Sequence, residues 1–230
     1  MKKIISTILI LIGIIFLSIP YLNNLIIKRN LKAKQNIVEG VTVNEIEENN
    51  NRKAEYDYSN IKDVEISNTI SGITKFDSKN IIGQIIISDL DINLPILKGT
   101  TNANLLVGAT TMIEDQEMGK KNYPLAGHYM KDKSLLFGGL MDIEKDTIVK
   151  ITDKKMVYEY RIYDTLIVPD IALHMLDHDR AKERGKPIIS LMTCYYTSKN
   201  GKRFFALGEL IDEYPYEGEQ LNIDNKKQSR

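Results

Sequence analysis

The feature of this sequence that most constrains its fold is a long apolar run near the N-terminus. No charged residue occurs between Lys3 and Lys28, and residues 4–22 are almost continuously apolar. About nineteen such residues form a helix that crosses roughly 30 Å of hydrocarbon. The run is longer than the apolar region of a usual signal peptide, and no A-x-A-like cleavage site follows it. The pattern therefore predicts an uncleaved transmembrane signal anchor over residues 1–27, with no other segment able to span a membrane.

The distribution of charge bears on topology and on partners. Two lysines precede the apolar run, whereas Lys28, Arg29, Lys32 and Lys34 follow it, so the charge bias alone favours a cytoplasmic body. Over the whole chain, 31 basic residues balance 31 acidic residues. A neutral chain has no general basic field, which argues against nucleic acid as a partner.

The segment after the apolar run is polar and net acidic. Between residues 35 and 80 it holds five basic and nine acidic side chains. Such a stretch buries too little apolar surface to offset its ordering entropy. We therefore expect a polar stalk over residues 28–79, flexible at 35–57 and with a short helix somewhere in 58–75.

The compact domain is predicted over residues 80–213, with a polar tail over 214–230. Within it, the pattern is mostly short β-strands separated by turn signals. Residues 156–163, for example, alternate with a period of two, and Asp153 and Lys154 before them fit a hairpin turn. The predicted strands are 81–87, 93–97, 123–127, 147–151, 156–163, 165–168, 187–193 and 203–211, with short helical pieces at 135–141 and 171–177. Roughly eight short strands predict an all-β domain, either a closed barrel or a sandwich.

Three residues at the ends of predicted strands have the chemistry of a nucleophilic site. Cys194, the only cysteine, closes an apolar strand and opens onto a polar loop. A free cysteine is often just a small buried hydrophobe, but an unpaired thiol in an extracytoplasmic chain is a liability unless it has a use. His128 ends another apolar strand behind small residues, and Arg203 starts the last strand. Papain-like proteases place the cysteine before the histidine, so the order histidine, cysteine, arginine disfavours that family. The Gln-Ala-Cys motif of caspases is absent.

These motifs resemble those of the sortases. Residues 125–128, Leu-Ala-Gly-His, are similar to the family's histidine motif, and residues 190–194, Ser-Leu-Met-Thr-Cys, resemble its T-L-x-T-C signature with serine for the first threonine. Lys202 and Arg203 before an apolar strand resemble the family's arginine strand. The resemblance covers roughly residues 81–212 and is to class A enzymes of streptococci and listeriae. It implies an eight-stranded sortase-type β-barrel with short helices in its connections, and a single-pass protein of the cell membrane with its catalytic domain outside.

The resemblance also implies a mechanism. Cys194 is the implied nucleophile, which attacks the Thr–Gly carbonyl of an LPxTG-like sorting signal on a surface protein and forms a thioester. Arg203 is the implied oxyanion donor, and His128 is the acid that protonates the leaving amine and later acts as the base. An amine of the lipid-linked peptidoglycan precursor then resolves the thioester. No cofactor is expected.

The substrate-binding residues are predicted from the same resemblance. Residues 168–185 are expected to form a wall of the groove, with Ile171 and Leu173 in contact with the leucine and proline of the signal. Ala126 is expected to line the floor. Thr193 is expected to orient the nucleophile or the substrate backbone, or else only to pack within its strand.

Two clusters have features of metal sites, and neither is expected to bind a metal. His174 and His178 have a spacing that two helical zinc ligands can use, but acidic neighbours indicate a solvent-exposed pair. Glu114, Asp115 and Glu117 lie where staphylococcal class A enzymes have a calcium site, without matching it residue by residue.

Two other classes of function stay open from the sequence. One is a membrane-anchored binding module without chemistry, and the other is a hydrolytic cysteine protease on the same fold that cuts without transfer. Alkylation of Cys194 separates the binding module from an enzyme. Ligation of the cleaved peptide to an added amine separates the protease from a transpeptidase.

Overall fold

The structure, a computed structural model, describes residues 2–61, 63–64 and 75–218. In this part of the chain, eight β-strands close into a barrel. They are β1 (Ile81–Ile87), β2 (Ile92–Leu97), β3 (Ala109–Thr111), β4 (Asn122–Ala126), β5 (Ile148–Thr152), β6 (Met156–Pro169), β7 (Ile188–Cys194) and β8 (Lys202–Pro215). Their order around the barrel is β1-β2-β3-β4-β7-β8-β6-β5, and β5 pairs with β1 to close the ring. The β2–β3 and β4–β7 pairs are parallel. The all-β barrel predicted from the sequence is confirmed.

The set of strands differs from the prediction at two places. The three-residue strand β3 was not predicted, because so short a segment carries no readable alternation. The two strands predicted at 156–163 and 165–168 are one strand, β6, with an irregularity between Ile162 and Asp164 in its pairing with β8. A β-bulge of this kind shifts the alternation of side chains along the strand by one residue. In the sequence, this shift looks like the end of one strand and the start of another.

Helices occupy the N-terminal part of the described chain and the connections of the barrel. The α-helices are α1 (Lys2–Gly40), α2 (Val43–Asn50), α3 (Asn102–Leu105) and α4 (Asp179–Arg184). Short 3₁₀ helices lie at Tyr58–Asn60, Ser78–Asn80, Ser88–Leu90, Leu140–Asp142, Leu173–Leu176 and Ser198–Asn200. The helical pieces predicted at 135–141 and 171–177 are thus single 3₁₀ turns, shorter than expected.

The two faces of the barrel wall carry different apolar clusters. On β7, Ile189 and Leu191 are fully buried in the main cluster that fills the barrel. Met192 and Cys194 belong to a second cluster. Because side chains alternate along a strand, residues 192 and 194 project from the outer face of the wall. The second cluster therefore lies outside the barrel, beneath the segments that cross this face.

Helix α1 contains the predicted membrane anchor. The stretch from Lys3 to Arg29 is long and apolar enough to cross a membrane. Its large apolar side chains are mostly exposed, as Phe16 is at 67% and Leu17 at 83%. Near the end of this stretch, Ile27 is fully buried in the main apolar cluster, so this part of the helix packs against the barrel.

Helix α2 corrects the expectation of a flexible stalk over residues 35–57. Thr42 caps the helix and Glu45 closes a capping box with it. Ile46 and Asn49 are buried, and Asn49 Nδ2 donates a hydrogen bond of 2.8 Å to the Ile81 carbonyl at the start of β1. The segment is polar overall, but a capping box and one buried face are enough to hold a two-turn helix against the barrel.

Other predicted boundaries fall partly outside the described residues. A short helix is expected in 58–75; the described residues of that range include the 3₁₀ turn at Tyr58–Asn60, and residues 62 and 65–74 lie outside the description. Strand β8 continues to Pro215, two residues beyond the predicted end of the domain. Residues 219–230 of the predicted tail lie outside the described residues.

Candidate active site

Cys194 and Arg203 are paired across two neighbouring strands of the barrel, and His128 follows the end of a third. The parallel ladder of β4 and β7 ends with the pair Ala126 and Met192, and the Gly127 amide donates a 3.0 Å hydrogen bond to the Met192 carbonyl just before His128. The antiparallel ladder of β7 and β8 pairs Cys194 directly with Arg203. Residues paired across a sheet project from the same face. Cys194 and Arg203 are therefore brought together on the outer face of the barrel wall, and His128 lies at the adjoining end of β4.

The Cys194 thiol is deeply buried at the end of β7. The residue is 1% exposed, and its Sγ lies 3.8 Å from the Ile61 carbonyl oxygen. Burial raises the pKa of the Cys194 thiol to about 11, an effect that the nearby Arg203 charge offsets only in part. In this arrangement the sulfur is protonated at neutral pH.

The backbone that precedes His128 is held from both sides. Thr193 Oγ1 donates a 2.8 Å hydrogen bond to the Gly127 carbonyl, which ties the end of β4 to β7. On the other side, a Cβ added at Gly127 would lie 2.5 Å from the ring of Phe137. His128 itself is 2% exposed, and its carbonyl accepts a 3.1 Å hydrogen bond from the Phe137 amide. The close approach of an aromatic ring explains why glycine precedes the histidine.

Thr193 differs from its predicted place in the substrate groove. It is fully buried, and alternation along β7 turns it to the opposite face from Cys194. Its hydroxyl donates a hydrogen bond to the Gly127 carbonyl. The geometry gives Thr193 a positioning role, in which it holds the strand that carries His128.

The Arg203 guanidinium lies in a partly acidic environment at the start of β8. Its side chain is 11% exposed, and its Nη2 lies 3.8 Å from an Asp170 carboxylate oxygen and 3.5 Å from the Ile61 carbonyl oxygen. Lys202, the preceding residue, is exposed. The two basic side chains thus have different surroundings, as the alternation of a strand requires.

A cleft of about 750 Å³ lies beside Arg203. Ile171 and Leu173 line it and are 82% and 55% exposed, so two of the predicted substrate contacts are open to a ligand. Ala126 is fully buried in the second cluster and is not among the described residues that line the cleft. The predicted floor residue is therefore covered in this structure.

The wall of the cleft is fastened to the barrel by a buried asparagine. Asn122 Nδ2 donates hydrogen bonds to the Met175 carbonyl at 3.1 Å and to the Asp177 carbonyl at 3.2 Å. The Ser190 hydroxyl donates to Asn122 Oδ1 at 2.8 Å. Ser190 is the first residue of the cysteine motif. Through Asn122, this motif connects β7 to the groove wall.

The two clusters with metal-site features lie on separate elements. His174 is in a 3₁₀ turn and His178 immediately precedes α4, so the two are not ligands on one helix. His178 Nε2 lies 3.3 Å from an Asp115 carboxylate oxygen. Glu114, Asp115 and Glu117 are exposed, and Glu117 forms an ion pair with a lysine three residues on. Within the described ranges no group of three or more histidine, cysteine or acidic residues could hold a metal ion.

Three residues near the site were not identified from the sequence. Ile61 and Asp63 lie in the segment interpreted as stalk, and no local signal connects Ile61 with a cysteine 133 residues away. Asp170 follows β6, whose Val168 pairs with Arg203. Only knowledge that β6 and β8 are neighbours could have placed this carboxylate beside the arginine.

Comparison with known proteins agrees with this geometry. The family model described as "Sortase domain" matches residues 85–211. Sortase A of Listeria monocytogenes is 35% identical over 210 residues, which are 91% of this chain and 91% of that protein. Sortase A of Bacillus anthracis is 38% identical over 136 residues, 59% of this chain and 62% of that protein. The crystal structure of Listeria monocytogenes sortase A superposes with a TM-score of 0.57 at 39% identity, covering 64% of this chain and 96% of that one. The chain belongs to the sortase family of cysteine transpeptidases.

Proposed function

We propose that this protein is anchored in the cell membrane and cleaves an LPxTG-like sorting signal between threonine and glycine. It then transfers the surface protein to an amine of the lipid-linked peptidoglycan precursor. The observation that carries the proposal is the pairing of Cys194 with Arg203 across β7 and β8, with His128 just after the end of the neighbouring strand β4. A nucleophile with a proton carrier on one side and a fixed cation on the other is the arrangement that acyl transfer needs.

The first step is formation of the nucleophile. With a pKa of about 11, the Cys194 thiol is almost entirely protonated at neutral pH. His128, which follows the end of the neighbouring strand β4, is the residue proposed to accept the thiol proton. Cys194 Sγ then attacks the threonine carbonyl carbon, and the new C–S bond forms as the carbonyl electron pair moves to the oxygen.

Arg203 is proposed to hold that oxyanion. Its guanidinium is permanently charged and its planar fork can donate to the oxyanion and to a neighbouring peptide carbonyl at once. When the oxyanion collapses, the C–N bond to glycine breaks and His128 gives its proton to the leaving amine. The product is a thioester between Cys194 and the threonine of the surface protein.

The second half of the reaction uses the same residues in reverse. The amine of the peptidoglycan precursor attacks the thioester carbonyl and passes a proton to His128, and the C–S bond breaks to regenerate Cys194. Acyl transfer between two amines requires no net oxidation or reduction, so we expect that no cofactor takes part. Neither Ca²⁺ nor any other metal is assigned a step.

The remaining parts of the chain are proposed to bring the substrates together. Ile171 and Leu173 are proposed to contact the leucine and proline of the signal, since both line the cleft and are exposed. Helix α1 is proposed to anchor the protein with its barrel outside the membrane. On that side the barrel meets both secreted surface proteins and the lipid-linked acceptor.

Incubation of the full-length protein in detergent with an LPxTG peptide tests the proposal. Mass spectrometry should show an acyl adduct on Cys194 and, after addition of an oligoglycine amine, a ligated peptide. Cys194→Ala, and wild-type protein alkylated at Cys194, should lose both reactions, because no second thiol exists in the chain. Residual turnover of Cys194→Ala above about a thousandth of wild type would rule out the nucleophile, since losing a covalent nucleophile costs more than that. Cleavage without any ligated product would identify a hydrolytic protease instead.

A further inference from the structure

The strands that carry the candidate active site meet at one end of the barrel. β7 ends at Cys194, and Arg203 opposite it stands at the start of the antiparallel strand β8. β4 runs parallel to β7, so its terminus, which His128 follows, lies at the same end. The end of the barrel that holds these three residues is called the Cys194 end.

The turn between β1 and β2 lies at the Cys194 end as well. β4 is antiparallel to β3, and β3 is parallel to β2, so β2 starts, at Ile92, on the side where β4 finishes. β1 is antiparallel to β2 and finishes beside it at Ile87. The opposite end of the barrel therefore holds the start of β1 at Ile81 and the end of β2 at Leu97.

Ile27 fixes one point of helix α1 on the barrel. Its side chain is fully buried in the main apolar cluster, whereas Lys28 after it is exposed. Hydrogen bonds from Ser134 and, to a smaller extent, the charge of Lys28 hold the pKa of the Asp132 carboxyl below its ordinary value of 3.8. Asp132 belongs to the β4–β5 connection, which lies at the Cys194 end because β5 is antiparallel to β1. The helix therefore meets the barrel at the Cys194 end.

The other terminus of α1 lies at the opposite end of the barrel. Val41, the residue after the helix, packs against Ile81 and Leu97. From Ile27 to its last residue, Gly40, the helix rises about 20 Å, and a seven-residue strand such as β1 spans about the same length. Between these two points α1 contacts β1 and β2. Its C-terminal part thus lies beside these strands over the height of the barrel.

The N-terminal part of α1 projects beyond the Cys194 end. The stretch that is long and apolar enough to cross a membrane finishes at Arg29, where the helix meets the barrel. Because α1 is one continuous helix, a bilayer around this stretch lies beyond the Cys194 end and not beyond the opposite one. Lys28 and Arg29 are exposed at this level, and long basic side chains at the end of a membrane helix extend to the lipid headgroups.

The exposed side chains at the Cys194 end suit a headgroup layer. Lys131 and Lys133 are exposed in the β4–β5 connection, and Tyr196 is 59% exposed, with its ring 5.9 Å from that of Tyr129. Tyrosine is enriched at membrane–water interfaces. Asp89 in the β1–β2 turn is exposed too, so the surface is mixed in charge. Such a surface has no strong attraction of its own for anionic lipid, which leaves the docked helix to set the orientation.

We propose that the Cys194 end of the barrel faces the membrane and lies on the lipid headgroups, held in that orientation by the docking of α1 at Ile27. The orientation rests on the proposed membrane anchor of the proposed function, but not on the chemistry at Cys194. In this orientation an acyl group on Cys194 is presented at the height of the headgroups. The amine of a lipid-attached acceptor lies at the same height.

Two exposed lysines at opposite ends of β4 provide a matched pair of label sites. Lys131 follows β4 at the Cys194 end, and Lys120 precedes β4 at the opposite end. Each is replaced by cysteine in a full-length protein that also carries Cys194→Ala, so that the introduced thiol is the only one. The thiol is labelled with a donor dye, and the protein is reconstituted in phosphatidylcholine vesicles.

Energy transfer from the donor dye to an acceptor dye on the lipid headgroups reports the height of each label above the bilayer. The label of Lys131→Cys should lie about 15 Å closer to the headgroups than the label of Lys120→Cys, from the rise of a tilted strand. Vesicles that also contain phosphatidylglycerol should give the same difference. A difference seen only with phosphatidylglycerol would refute the docked helix as the cause of the orientation.

Replacing Ile27 tests the docking itself. Ile27→Asp should abolish the difference in height, because an unpaired charge does not stay buried in an apolar cluster. Ile26→Asp is the matched control and should keep the difference, since Ile26 is 37% exposed. A difference that persists in Ile27→Asp would refute Ile27 as the docking point. If the melting curve shows that Ile27→Asp is unfolded, Ile27→Ala is measured in its place.

The outcomes separate the orientation from the proposed function. Equal heights of the two labels in protein that floats with the vesicles, or a closer label at Lys120→Cys, would refute the orientation, even if the wild type cleaves an LPxTG peptide. The expected difference in height, with a wild type that cleaves no peptide, would support the orientation and refute the proposed cleavage. Protein that does not float with the vesicles would refute the membrane anchor, and the orientation with it.

Discussion

Replacing Arg203 tests whether its guanidinium stabilises the transition state of peptide cleavage. The structure offers a matched control, because Lys202 stands next to Arg203 but is exposed, whereas the Arg203 side chain is 11% exposed. Side chains in a strand alternate between faces, so the lysine cannot swing in as a replacement. A slip of one residue in β8 would turn its buried apolar side chains to the wrong face.

The expected magnitude follows from the role of a single oxyanion donor. Arg203→Ala should lose roughly 2.7–4 kcal/mol of transition-state stabilisation, or about 10²–10³ in rate. Arg203→Lys should recover only a small part of that, since an ammonium is a compact point charge without the planar fork. The loss is separable from unfolding. Asp170, the partner 3.8 Å away, has a side chain that is 38% exposed and stays hydrated without the arginine, so stability should fall by less than about 1 kcal/mol.

Initial rates of LPxTG peptide cleavage, with a thermal melting curve for each variant, check this expectation. Lys202→Ala should keep most of the activity, and all three variants should melt close to wild type. The reasoning is refuted if Lys202→Ala loses activity while Arg203→Ala keeps it. The residue opposite Cys194 would then be Lys202, and the register of β7 and β8 would be wrong by one residue. Equal losses in Arg203→Ala and Lys202→Ala would show that only the summed charge matters.

Two further predictions concern the supports of the site. Asn122→Ala leaves the carbonyls of Met175 and Asp177 without their donor, and should lower the free energy of unfolding in urea by about 3 kcal/mol while raising KM for the peptide. An unchanged KM would show that the groove wall is held by other contacts. For Glu209, the hydrogen bond from Arg184 Nε at 2.7 Å holds the pKa of the carboxyl below its ordinary value of 4.5. This contribution is present above pH 4.5 and is lost as the pH falls through the lowered pKa, so wild type should lose about 1 kcal/mol more stability than Glu209→Gln between pH 5 and pH 3.

Most strands of the barrel could be predicted from the local sequence pattern. The continuous β-branched run of β1 and the alternation at the start of β6 predicted strands close to their observed bounds. Local pattern failed where the signal is only a few residues long or where a bulge interrupts it, as in β3 and in the middle of β6. It also failed for α2, whose composition is polar although a capping box and the buried Ile46 hold it in place.

The sequence by itself pointed to the residues that are proposed to carry the chemistry. His128, Cys194 and Arg203 each stand at a strand end within a recognisable motif, and a motif is a property of a few consecutive residues. The tertiary structure alone decided that these strand ends are neighbours, since β4 and β7 pair across a separation of 66 residues. It also decided that a carbonyl at Ile61, 133 residues before the nucleophile, lies over the thiol. The physical reason is that side-chain chemistry is local, whereas strand order and burial depend on how the whole chain packs.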